Sequence, residues 1–154
     1  NRDYHNNVNS GAVYIYTIND MDVVFLEKIY PQDYTNDQYF GKSVSNHNNW
    51  LAVSAIYDDE NGVKSGAVYM FYYTGDNWVQ YQKIIADDGT SFDRFGYSID
   101  IFEDNLIIGS VYDDDRGENS GAAYLYKLSN NQWRFLLNYQ LYHHYEIFPI
   151  KYKQ

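Results

Sequence analysis

The chain has 154 residues, 45% hydrophobic and 19% aromatic, with a formal net charge of −10. That length suits one domain with a sizeable core, flat aromatic side chains favour pleated strands, and the shortage of Lys and Arg argues against nucleic acid or an anionic membrane surface as partner. No apolar run approaches the ~20 residues that span a bilayer, and without cysteine there are no disulfides and no thiol chemistry.

The first landmark is Ser10-Gly11-Ala12-Val13-Tyr14-Ile15-Tyr16. It returns as Ser65-Gly66-Ala67-Val68-Tyr69-Met70-Phe71 and as Ser120-Gly121-Ala122-Ala123-Tyr124-Leu125-Tyr126, each step being 55 residues. Phe40-Gly41 and Ser43 return as Phe95-Gly96 and Ser98, Tyr57-Asp58-Asp59 as Tyr112-Asp113-Asp114, Trp78 as Trp133, and Lys28-Ile29 as Lys83-Ile84. A fixed period in this range marks one supersecondary unit stacked on copies of itself.

In chain order, residues 1–30 supply half a unit with only its last two strands, 31–85 and 86–140 are complete units, and 141–154 is a divergent strand or tail. The complete units predict strands at about 40–46, 50–56, 66–73 and 78–84, then 95–102, 105–111, 121–128 and 133–140, bounded by Asn, Asp, Gly or Ser turns. The third strand of the first complete unit is apolar on both faces, Ala67, Tyr69 and Phe71 on one and Val68, Met70 and Tyr72 on the other. Such a strand belongs in a small sheet covered from both sides. In the tail, 145–152 reads as a further strand that Pro149 restricts to an edge. The start at Asn1, with no leader, fits a processed or excerpted chain.

Four antiparallel strands per unit, with both faces covered by neighbouring units, describe an all-β fold of β-propeller blades. A β-solenoid has a shorter coil, and a sandwich lacks a fixed internal spacing. The Phe-Gly-x-Ser opening of the first strand and the Ser-Gly-Ala-Val-Tyr opening of the third resemble the FG-GAP repeat, which builds the propeller heads of integrin α-subunits and many bacterial and protist surface proteins. Where that signature has Gly-Ala-Pro, this chain has Ser54-Ala55-Ile56 and Gly109-Ser110-Val111.

The resemblance covers about residues 2–140 and implies an incomplete propeller of about 2.5 blades. It also implies a non-enzymatic extracellular or cell-surface module for adhesion, matrix or filament building. Propellers close with roughly four to eight blades, so closure would need more polypeptide or further copies of the chain, joined through blade flanks and the C-terminal strand. The alternatives are a propeller accompanying an enzyme whose catalytic residues lie elsewhere, and a glycan-binding domain.

The calcium loop usual in integrin-type blades is not carried over, because the connections 46–49 and 103–104 are too short to wrap a cation in six or more oxygens. Oxygen-rich loops stand instead between second and third strands. There Asp58, Asp59 and Asn61, and Asp113, Asp114 and Asp115, are candidate Ca2+ ligands, with Asx turns and surface solubility as their ordinary role. Phe40, Gly41, Phe95, Gly96, Trp78 and Trp133 are expected to pack blade on blade, and the recurring serines to bond backbone. Trp50 meets Asn105 one period on, which makes it a candidate for a non-repeated ligand contact. His5, His47, His143 and His144 do not recur, and nothing singles out a general acid, base or nucleophile, so no enzyme activity is expected.

Overall fold

A computed structural model describes residues 4–5, 8–33, 35 and 37–140. Strands β1 (Tyr4–His5) and β2 (Val8–Asn9) pair as a short hairpin, and β3 (Val13–Asn19) with β4 (Asp22–Ile29) makes a two-stranded antiparallel sheet. Next comes a four-stranded antiparallel meander of β5 (Phe40–His47), β6 (Trp50–Ala55), β7 (Ala67–Tyr73) and β8 (Trp78–Ile84). A second follows from β9 (Ser98–Phe102), β10 (Asn105–Ser110), β11 (Ala122–Ser129) and β12 (Gln132–Gln140). The described residues hold no helix. These sheets are the blades of an incomplete β-propeller.

Local chemistry sets the strand ends. Asp20 turns β3 into β4, Asn48 turns β5 into β6, and Asn130 with Asn131 turns β11 into β12, all at positive φ. Asn and Asp enter that region more readily than other residues with a Cβ. The pairing of third with fourth strand is irregular at one repeated place, between Ile15 and Tyr16, Met70 and Phe71, and Leu125 and Tyr126. A bulge there adds right-handed twist, so every sheet is twisted alike.

One strand starts later than the sequence pattern predicts. β9 begins at Ser98 rather than near residue 95, because the N–H groups of Gly96 and Tyr97 both donate to the Gly109 carbonyl, at 3.1 and 3.0 Å, and break the ladder. The strand expected at 145–152 lies outside the described residues.

The hydrophobic clusters lie between sheets. One joins Val13, Ile15 and Ile29 to Phe40, Val53, Tyr69 and Phe71, and the other joins Val68, Met70 and Ile84 to Phe95, Leu106, Tyr124 and Trp133. Each fully buried aromatic or aliphatic side chain contributes about 1.5–3 kcal/mol. Burial follows from having neighbours. The whole of β6 is buried because a sheet lies on either side, whereas β3 and β10 alternate.

Candidate functional site

The loop after β6 folds around Asp58, whose main-chain carbonyl accepts from Gly66 N at 3.0 Å and Ser65 Oγ at 3.2 Å. Asp59 Oδ1 accepts from Lys64 N at 2.7 Å. The loop after β10 repeats this: Asp113 O accepts from Gly121 N at 2.9 Å and Ser120 Oγ at 3.1 Å, and Asp114 Oδ1 accepts from Asn119 N. These are side-chain-closed turns, the local bonding that Asp and Ser offer a backbone leaving a strand. The Arg94 guanidinium lies 5.3 Å from the Tyr57 ring centre and 4.4 Å from that of Tyr112, and so bridges the two loops through cation–π contacts.

Behind the first loop the Asp58 side chain is 1% exposed. Its Oδ2 accepts from Gln38 Nε2 (2.9 Å), Tyr69 OH (2.9 Å) and Lys83 Nζ (2.8 Å), and its Oδ1 from Glu60 N (3.1 Å). Lys83 also reaches Asp33 at 2.9 Å and Glu60 at 2.6 Å. Burial pulls the Lys83 ammonium down, but hydrogen bonds to Asp58, Glu60 and Asp33 outweigh it and hold its pKa above the usual lysine range. Burial likewise pushes the Tyr69 hydroxyl up, opposed by Lys83 and reinforced by Asp58.

The second sheet alters this hub twice: Asp93 stands for Gln38 and Asn138 for Lys83, one repeat on. The register is unchanged, Tyr124 opposite Asn138 as Tyr69 is opposite Lys83. Asp113, also 1% exposed, keeps Tyr124 OH at 2.9 Å and Asp115 N at 3.2 Å. The same Tyr124 hydroxyl lies 2.9 Å from Asp88 Oδ1, so one hydroxyl proton serves two carboxyl groups. Burial pushes both Asp113 and Asp93 above the ordinary carboxylate range; neighbouring acids add to this, while hydrogen bonds from Tyr124 and from Thr90 respectively oppose it.

Most of the candidate Ca2+ ligands take part in hydrogen bonds within the chain. Besides Asp58, Asp59, Asp113 and Asp114, Asn61 is engaged, its Nδ2 donating to Ala86 O at 2.7 Å and Gly89 O at 3.1 Å. Among the described residues no three His, Cys, Asp or Glu side chains are grouped to hold a metal ion. Asp115 contributes its N–H to the Asp113 side chain.

Where sheets meet, the recurring Ser-Gly and Phe-Gly phrases are the two halves of one joint. Phe40 N donates to Ser10 O, and Phe95 N to Ser65 O, each at 2.8 Å. A Cβ on Gly11 or Gly66 would lie 2.1 or 2.2 Å from the carbonyl oxygen of Phe40 or Phe95, a gap that glycine alone fits. A second clasp also recurs: Glu27 Oε2 accepts from Trp78 N at 3.0 Å, and Gln82 both accepts from Trp133 N (3.0 Å) and donates to Trp133 O (2.8 Å). Trp50 sits in the same joint, with Tyr72, Tyr81 and Trp133 edge-on at 5.0, 5.1 and 5.7 Å. At 8% exposure it has no open ring face for a sugar.

Among the described residues, the outer face of the β3–β4 sheet is half or more exposed at most of its apolar positions. Tyr14, Tyr16, Ile18, Val23 and Phe25 are 43, 53, 77, 66 and 51% exposed, with the Phe25 ring 5.6 Å from Tyr16. One repeat later the same face carries Tyr69 and Phe71, buried against the preceding sheet. At the opposite end, Ile107 and Leu136 are 47 and 54% exposed.

The FG-GAP repeat profile matches residues 24–71 and again 78–126. The chain belongs to the FG-GAP repeat family. No match is found among curated proteins. Each matched FG-GAP stretch begins in the fourth strand of one sheet and ends in the third strand of the next, so the family's unit spans the joint rather than the sheet. An FG-GAP chain with these sheets is a β-propeller-like module, of a family that generally binds rather than catalyses and is typical of extracellular or surface proteins. No helix of the described residues is long and apolar enough to cross a membrane.

Several residues that build these FG-GAP joints and hubs escape sequence reasoning: Gln38 and Lys83 at Asp58, and Glu27 and Gln82 at the two tryptophans. The available signal was the fixed-step recurrence of Lys28 and Lys83 beside those clasp positions.

Proposed function

We propose that this chain is a non-enzymatic binding and assembly module of an extracellular or cell-surface protein, serving adhesion, matrix or filament construction through its sheet faces. The observation that carries this reading is the exposure, among the described residues, of the apolar face of Tyr16, Ile18, Val23 and Phe25. In water such a face costs free energy at every exposed ring, and covering it recovers roughly 25 cal/mol per Å² of apolar surface. Against a catalytic role stands the use of the buried carboxylates, which close turns and anchor a lysine and a tyrosine.

The chain has no cysteine, so Ile18→Cys creates a unique thiol in the middle of the face. In the dilute isolated chain that thiol should react with a maleimide at the rate of a free cysteine. On intact, unpermeabilised cells displaying the protein it should be present at the surface and strongly protected. Equal reactivity in both settings, or no surface pool, would overturn the proposal.

A further inference from the structure

Three cations of this acidic chain stand apart from its carboxylates. Among the described residues Lys42, Lys64 and Arg94 make no ion pair; each lies on a tyrosine ring instead. Lys42 Nζ is 5.0 Å from the Tyr97 ring centre and Lys64 Nζ 4.7 Å from that of Tyr57, while Arg94 is held between Tyr57 and Tyr112. The Tyr97 and Tyr112 rings meet edge-on at 6.3 Å. The six side chains form one unbroken stripe across the joint between the two four-stranded sheets. We infer that this stripe binds a polyuronate, a linear polysaccharide whose sugars each carry a carboxylate. It is a separate surface from the β3–β4 face.

The polar ends along the stripe have no partners within the chain. Arg94 Nε is buried without a hydrogen bond, and among the described residues the hydroxyls of Tyr57, Tyr97 and Tyr112 make none either. Ring stacking holds a guanidinium by its faces and leaves the N–H edge, which pairs with carboxylates, available to a ligand. Lys64 and Arg94 reach the same Tyr57 ring, and Arg94 N donates to Lys64 O at 3.2 Å. Two like charges are thus fixed as neighbours, and an anion laid over them relieves their repulsion. Both have left-handed backbone, φ +54° and +55°, a conformation better suited to Asn119, which stands one repeat after Lys64. Strain retained in this way collects at ligand clamps.

The ligand's chemistry follows from the donors. Cations call for an anion and phenols for hydroxyl partners; a uronic acid carries both on one stiff ring, so little freedom is lost on binding. A densely charged polymer such as nucleic acid is repelled by a chain of net charge −10. One carboxylate per sugar sets fewer charges against it.

Isothermal titration calorimetry of the full chain with polygalacturonate, in low salt free of divalent cations, should show binding that weakens as salt is raised. Arg94→Gln should weaken it roughly tenfold or more. Lys42→Gln combined with Lys64→Gln, at the two ends of the stripe, should do the same with the urea midpoint near that of the wild type, which keeps the test valid should Arg94→Gln misfold. Phe25→Glu, on the β3–β4 face, should bind as the wild type does, and neutral dextran should not bind. No binding in low salt overturns the inference, as does an affinity unchanged by the paired lysine substitutions or lost in Phe25→Glu. Poly-L-glutamate binding as tightly as polygalacturonate overturns it too, since the ligand would then be an acidic peptide. The maleimide test of Ile18→Cys reads the other surface, so the two readings stand or fall separately.

Discussion

At Asp58 four donors converge on a carboxylate that is 1% exposed, and among them Lys83 carries the positive charge. Replacing Lys83→Met leaves that anion buried among neutral donors, a loss that costs about 3 kcal/mol and is read from the urea midpoint. Because the folded-state pKa of Lys83 is raised, its stabilisation is complete below the ordinary lysine value of ~10.4 and fades only as pH climbs beyond it. The Lys83→Met deficit should therefore be flat from about pH 6 to about pH 9. The hub of the second sheet behaves in the opposite sense. Asp93 and Asp113 have raised pKa values, so the folded chain binds more protons than the unfolded one, and their penalty is lifted as pH falls towards the unfolded value of ~3.9. Asp93→Gln, which restores the residue of the first sheet, should raise stability at neutral pH by about 1 kcal/mol. It should also shrink the stability gained as pH falls from neutrality towards that unfolded value, measured by urea unfolding across the range.

Between elements, the joint can be weighed by two chemically identical substitutions. Gly66 and Gly121 both have left-handed backbone, φ +90° and +79°, but a Cβ at Gly66 would lie 2.2 Å from Phe95 O, while at Gly121 the nearest described atom is Val111 O at 3.5 Å. Gly121→Ala should therefore cost about 1 kcal/mol of backbone strain. Gly66→Ala carries that same strain and also forces two sheets apart, about 3 kcal/mol or more in total, seen as a much lower thermal midpoint. The same contrast explains what the sequence made legible. The 55-residue phrases could be read as blades because Ser-Gly and Phe-Gly are the contacting parts of the joint, and a joint repeated in space is repeated in sequence. The hub was not legible, because Gln38, Asp58 and Lys83 meet across turns at separations that carry no period. Their replacement by Asp93 and Asn138 gains meaning only once the strands are in register. Trp50 stood out through lacking an aromatic counterpart at Asn105, and the fold sets it against Trp133, a neighbour no local pattern announces.

At the scale of the described residues, sheets stack on one another, and stability belongs to neighbouring pairs of sheets. Among the described residues, the β5–β8 sheet has a partner on each face, the β9–β12 sheet has one, and the β3–β4 sheet has one joint and a β3 strand that pairs with β4 alone. Local opening free energies should follow that order. In the dilute chain, amides of β6 and β7 should exchange with deuterium slowest, those of β10 and β11 faster, and those of β3 and β4 fastest. Gly66→Ala breaks the joint between the two four-stranded sheets, so it should speed exchange in β9–β12 and on the facing side of β7, yet leave β3 and β4 near their original rate. If β3 and β6 exchanged alike, and Gly66→Ala sped both equally, the chain would be opening as one cooperative body, and stability assigned joint by joint would be the wrong description.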